Sequence, residues 1–195
     1  MKRLTQLLLT ALISQFAFGS IIYDTLRNQY TWSYGNCFGG SYWYGQNYDF
    51  RVADDVTLDQ PVTIHSLSGR YIGLGIFPII GAKVWIYADD NGRPGKLIAA
   101  ESGDVTVTTF RVAFPELIFR QPYVGKEVRI EGLNIGLDHG RYWVCLQPIS
   151  DDWYFQACGP YNRGSSAMEK DFNSLFMWEP IDRPLDTNLR IEGDS

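Results

Sequence analysis

Ile86-Tyr87-Ala88-Asp89-Asp90-Asn91-Gly92-Arg93-Pro94-Gly95 is the stretch that decides the fold class. Just before and within it, Lys83, Trp85 and Tyr87 alternate with Val84, Ile86 and Ala88. That period of two sends successive side chains to opposite faces of a strand. Asp89 to Gly95 then concentrates Asp, Asn, Gly and Pro, residues that each favour a tight reversal of the chain. A second strand is expected to resume at Lys96-Leu97-Ile98. The signal is architectural, not catalytic.

Working outward, the same alternation recurs. Ile21 to Arg27 suggests a short first strand, and Phe50 to Val56 a stronger one. The segment after Pro61 alternates from Val62, and Gly73 to Gly81 reads as an apolar loop. Val105 and Val107 alternate with Thr106 and Thr108, then Phe110, Val112 and Phe114 follow on the opposite parity. Val128 and Ile130 lie among Glu127, Arg129 and Glu131, and the phase shifts after Gly132 to Leu133, Ile135 and Leu137. A change of phase requires a bulge or a new strand. Arg141 to Leu146 and Trp153 to Ala157 are expected to form a hairpin across Gln147 to Asp152, and Leu189 with Ile191 marks a last strand. A short helix is expected only within Ser165 to Phe176. About nine or ten short strands, with turn signals roughly every 8–15 residues, predict an all-β chain. The expected architecture is a single β-sandwich, jelly-roll-like (galactose-binding-like), with a long aromatic N-terminal loop.

Met1-Lys2-Arg3, the apolar run Leu7 to Ile13 and the exit Ala17-Phe18-Gly19-Ser20 have the layout of a secretory signal peptide over residues 1–19. The apolar run is shorter than the ~20 residues that span a bilayer. Residues 20–195 are then one domain, secreted or periplasmic/extracellular, with no membrane insertion once the leader is cleaved. The whole chain has 17 basic and 22 acidic residues. Loss of Lys2 and Arg3 leaves 15 against 22, a net charge of −7. Without a basic cluster, nucleic acid is not an expected partner.

Export favours a disulfide, and the three cysteines allow one bridge. Cys145 sits in the strand-like Tyr142 to Leu146, whereas Cys37 and Cys158 each stand close to glycine in loop-like sequence. Cys37–Cys158 is the preferred pair. Cys145–Cys158 is the alternative, although a hairpin about Ser150 would place Cys145 opposite Phe155.

Val52-Ala53-Asp54-Asp55-Val56, Ile86 to Gly95, Gly140-Arg141-Tyr142-Trp143-Val144 and Leu189-Arg190-Ile191-Glu192-Gly193 occur in an order that resembles a broad, largely uncharacterised group of secreted bacterial β-sandwich proteins. Those proteins carry an Ala-Asp-Asp-Phe strand, an Ile-Tyr-x-Asp-x-x-Gly-x-Pro-Gly turn and a Gly-x-x-Tyr-Trp strand. The resemblance spans residues 48 to 193 and implies a jelly-roll-like sandwich and export.

Residues 30–48 belong to none of those motifs. Seven of these nineteen residues are Tyr or Trp, interrupted by four glycines. Trp32, Tyr34, Tyr42, Trp43 and Tyr44, with Asn36, Gln46 and Asn47 among them, combine flat apolar rings with hydrogen-bonding groups, the composition that takes a sugar ring. An extracellular glycan is therefore the candidate partner, and a loop packed over one end of the sandwich is the competing reading. Asp89, Asp90 and Asn91 offer hard oxygen ligands for a weak calcium site, but without EF-hand spacing, and an ordinary turn is preferred. No other cofactor is expected.

Asp54 and Asp55, adjacent on a strand, are expected on opposite faces, with one of them bonding backbone at a strand end. His65 and His139 belong to no zinc-like grouping, and no Gly-x-Ser-x-Gly elbow is present. A non-enzymatic binding module is expected, with a structural or protein-interaction module of the cell envelope as the alternative and a hydrolase third.

Overall fold

A computed structural model describes residues 19–26, 38–39, 50–110, 124–151, 154–159, 167–171, 177–180 and 186–195. Fifteen strands and no helix occur among the described residues. In chain order they are β1 (Ser20–Asp24), β2 (Phe38–Gly39), β3 (Phe50–Leu58), β4 (Val62–Gly73) and β5 (Ile79–Asp89). Next come β6 (Pro94–Glu101), β7 (Asp104–Phe110), β8 (Val124–Leu137), β9 (Gly140–Ser150) and β10 (Tyr154–Gln156). The last are β11 (Cys158–Gly159), β12 (Met168–Asp171), β13 (Glu179–Pro180), β14 (Asp186–Thr187) and β15 (Leu189–Asp194).

β4 is the spine of a seven-stranded antiparallel sheet. β8 runs along one side of it from Val62↔Leu137 to Gly73↔Val124. The other side is shared: β15 pairs with Thr63 to Gly69, and β10 with Tyr71 to Gly73. β1 adds outside β15, β2 outside β10, and β7 outside β8. The second sheet has six strands in the order β13-β12-β3-β9-β5-β6. β11 and β14 make a separate two-stranded ladder.

The two sheets pack face to face as a sandwich. Val56, Val84, Ile86, Val144 and Leu146 from the six-stranded sheet meet Ile64, Leu67, Val128, Ile130, Leu189 and Ile191 from the larger one, all 2 % exposed or less. Each such side chain contributes about 1.5–3 kcal/mol when fully buried, which makes this layer the main source of stability. Tyr71 crosses the layer and donates its hydroxyl to the carbonyl of Leu146.

The phase change after Gly132 is a bulge within one strand. β8 continues through it, its register against β4 shifts between Ile64 and Ser66, and Gly132 takes a φ of 77°. A left-handed residue at that point costs glycine nothing, since it lacks a Cβ.

Two expectations are corrected. Arg141–Leu146 and Trp153–Ala157 do not pair. β9 lies between β3 and β5 in one sheet, and β10 pairs with β4 and β2 in the other, so the chain changes sheets after Ser150. The helix expected within Ser165 to Phe176 is replaced, at Met168–Asp171, by a strand against Phe50–Ala53. Met168 and the fully buried Ala53 pack in one cluster there, a contact across strands that a local helical pattern does not anticipate.

Candidate functional site

Asp54 and Asp55 point to opposite faces of β3, as successive strand residues must. Asp54 is fully buried and ties β3 to β14: its Oδ2 accepts hydrogen bonds from the Thr187 backbone N–H at 2.7 Å and from Thr187 Oγ1 at 3.0 Å. Its Oδ1 accepts from the Asp55 N–H at 3.0 Å. Burial, then the charge of nearby Asp186, pushes the Asp54 carboxyl well above the usual carboxylate range, against the opposing pull of the Thr187 bonds. One of the two acids does bond backbone, as expected, but Asp54 does so from the middle of β3 and not from a strand end.

Asp55 emerges on the outer face of the six-stranded sheet, where Arg141 Nε reaches it at 3.0 Å. The same guanidinium lies 3.7 Å from Asp89 Oδ1, which also accepts from Trp143 Nε1 at 2.8 Å. Beside this seam the ladder register aligns Trp85 with Cys145, and Tyr87 with Trp143. Arg51 donates to the Tyr87 hydroxyl at 2.7 Å and stacks its guanidinium 3.3 Å above the Trp85 ring. Trp178 meets Tyr87 edge to face at 5.3 Å. Tyr87, Trp143 and Trp178 are buried, whereas Trp85, Lys83 and Gln147 are half-buried. This outer face is therefore a second, aromatic core. Trp85 has little stacking surface left for a ligand, because Arg51 covers one side, Lys83 lies 5.0 Å from the ring centre and the indole N–H goes to Gln147. Sequence alternation flagged Trp85 and Tyr87 as strand residues. Only the register against β9 brings them beside Trp143.

The turn that closes β5 onto β6 is a two-residue reversal. Asp90 and Arg93 exchange backbone hydrogen bonds of 2.8 and 3.2 Å around Asn91 and Gly92, whose φ values are 54° and 81°. Two positive φ angles in succession define the type I′ turn that Asn-Gly favours, and its twist matches the flanking strands. Asp89 Oδ2 accepts from the Gly92 N–H at 3.2 Å, and Asp90 Oδ1 accepts from Asn91 Nδ2 at 3.0 Å. The carboxylates nominated for calcium thus serve the turn. Among the described residues, no group of three or more His, Cys, Asp or Glu is arranged to hold a metal ion.

A depression of about 380 Å³ lies where β4 begins and β8 and β15 end, lined by Pro61, Thr63, Leu137, Asp138 and Asp194 among others. His65 stands on β4 nearby, with Nε2 at 2.8 Å from Asp194 and Nδ1 at 3.4 Å from the Leu133 carbonyl. Its second nitrogen therefore faces the backbone. The Asp194 hydrogen bond raises the His65 pKa above its ordinary 6.5. His139 is exposed in the turn between β8 and β9.

Trp32, Tyr34, Tyr42, Trp43 and Tyr44 lie outside the described residues, as does Cys37. Within that aromatic stretch the backbone is described at Phe38–Gly39, which pairs with Tyr154 and Phe155. No disulfide is found among the described residues. Cys145, the partner in the alternative pairing, is a buried thiol in the middle of β9, facing the aromatic outer core, so that pairing is ruled out. Compared with family models, curated proteins and solved structures, the chain matches none.

Proposed function

We propose that this protein is an exported, non-enzymatic β-sandwich that binds carbohydrate through residues 30–48. The observation that carries this reading is compositional: seven Tyr or Trp among nineteen residues, with Asn36, Gln46 and Asn47 between them. Rings of this kind stack on the apolar faces of sugars while the amides bond the hydroxyls. The fold supports it in one respect. Phe38–Gly39, near the middle of the stretch, is an edge strand on the larger sheet, so the two aromatic halves flank an anchored pair of residues. The leader-like first nineteen residues and the resemblance to secreted bacterial β-sandwich proteins support export.

A glycan array probed with wild type and with the Trp32→Ala/Trp43→Ala double variant tests the proposal. Binding to a defined glycan class that the variant loses is the expected result. No signal above background, or an unchanged signal in the variant, overturns it. A chelator is expected to leave binding unchanged, because Asp89 is already held by Trp143 and Gly92.

A protein-interaction role in the cell envelope is the second reading, and one observation favours it. Ile76 and Phe77 in the β4–β5 connection and Ile80 at the start of β5 are 65, 43 and 73 % exposed. That connection is braced from within: Tyr154 donates to the Phe77 carbonyl at 3.0 Å and Ser150 to the Pro78 carbonyl at 2.9 Å. A rigidly presented apolar tip is the usual mark of a contact surface. If glycans fail to bind while Ile76→Ser/Phe77→Ser/Ile80→Ser releases the protein from envelope fractions, this reading replaces the first.

A further inference from the structure

We propose that Asn91-Gly92 is a latent deamidation site that the folded turn holds shut. It is the one Asn-Gly pair in the chain, and Asn91 is exposed at the tip of the β5–β6 hairpin. The chemistry needs nothing beyond water. The Gly92 backbone nitrogen loses its proton and attacks Asn91 Cγ, the Cγ–Nδ2 bond breaks, and ammonia leaves a five-membered succinimide. Water then opens that ring to aspartate or to isoaspartate, whose backbone is one methylene longer. Glycine is the residue least able to obstruct the attack, since no side chain shields its nitrogen.

Three contacts oppose that step in the folded protein. The first is conformational. Asn91 and Gly92 sit at φ 54° and 81°, clamped by the paired backbone bonds between Asp90 and Arg93. Closing the succinimide requires Asn91 to leave this type I′ geometry, in which its ψ lies near about +30°. The second is electrostatic. The nucleophile's own N–H is engaged by Asp89 Oδ2 at 3.2 Å, and a carboxylate beside it disfavours the amide anion as any like charge does. The third turns the electrophile aside: Asn91 Nδ2 donates to Asp90 Oδ1 at 3.0 Å.

The lock is tied to the interior. Asp89 is held in place by the indole N–H of Trp143, which is fully buried. Modification at Asn91 is accordingly coupled to opening of the hairpin, and each event adds a carboxylate beside Asp89 and Asp90.

The test uses the full chain in mildly alkaline buffer, folded and in urea. Mass spectrometry of the peptide spanning Asn91 reads aspartate and isoaspartate over time. The expected result is deamidation about tenfold or more slower in the folded protein, the scale set by a hydrogen bond or two. Asp89→Asn is expected to speed the reaction in the folded state. Should that variant unfold, Asp90→Ser, at an exposed position, is expected to give a smaller acceleration with the fold intact. Equal rates in folded and denatured wild type overturn the proposal, as does a folded Asp90→Ser protein that reacts no faster than wild type.

Discussion

Asp54 is an acid that the fold uses from within. Its two oxygens satisfy the Thr187 N–H and hydroxyl and the Asp55 N–H, all in a buried setting. Asp54→Ala leaves those donors without water or protein to accept them. A loss of about 3 kcal/mol is expected, measured by urea denaturation, because a stranded buried donor costs about 1–3 kcal/mol. His65 makes the opposite case, an interaction at the surface. Its hydrogen bond to Asp194 raises its pKa above 6.5, so the folded state holds the proton more tightly than the unfolded chain. The stabilisation is therefore full below the unfolded pKa and is lost as pH rises through the folded one. NMR titration of the imidazole should give a midpoint above 6.5, and Asp194→Asn should bring it back down. Because both partners are largely solvated, stability itself should change little.

At the scale of elements, two glycines show why one turn is permissive and another is not. Gly92 has a left-handed φ of 81°, but a Cβ there would meet nothing within 4 Å. Gly92→Ala should therefore cost only the backbone strain of a left-handed L-residue, about 1 kcal/mol. Gly103, between β6 and β7, lies against the backbone of β8, where a Cβ would stand 2.0 Å from the Glu131 carbonyl oxygen. Backbone cannot step aside as a side chain can, so Gly103→Ala should cost about 3 kcal/mol or more. Thermal unfolding of the two variants side by side checks the order. The connection at Gly103 takes the chain from the edge of the six-stranded sheet to the edge of the seven-stranded one, so the close approach there shapes that edge of the sandwich.

The whole molecule is closed by its last strand. β15 lies between β1 and β4 and adds Leu189 and Ile191 to the core, both 1 % exposed or less. Ending the chain at Asn188 should remove the one ladder β1 makes among the described residues and uncover Thr63 to Gly69 of β4, so the truncated chain should show no cooperative unfolding transition by circular dichroism. That strand was legible in the sequence, as were β3, β5, β7, the Val128–Ile130 part of β8 and a turn within Asp89 to Gly95, because period-two alternation and turn chemistry are local properties of the chain. The change of phase at Gly132 was legible too, but the structure decided that it is a bulge and not a new strand. Neighbours were not: β10 follows β9 after three residues and yet pairs with β4 and β2, a choice made by which apolar faces meet in space. The candidate site divides in the same way. Asp89 could be seen to belong to a turn, but its commitment to Trp143 and Gly92, and the assembly of Arg51, Trp85, Tyr87 and Trp178 into an outer core, arise from register across strands distant in sequence. Sequence by itself determined the all-β class and the turn that ends β5, but not the number of strands. Fifteen are found where about nine or ten were expected, and β5 begins at Ile79, inside the loop expected over Gly73 to Gly81. Only the tertiary structure decided which carboxylates are consumed by the fold, because a hydrogen-bond partner is chosen by proximity in three dimensions.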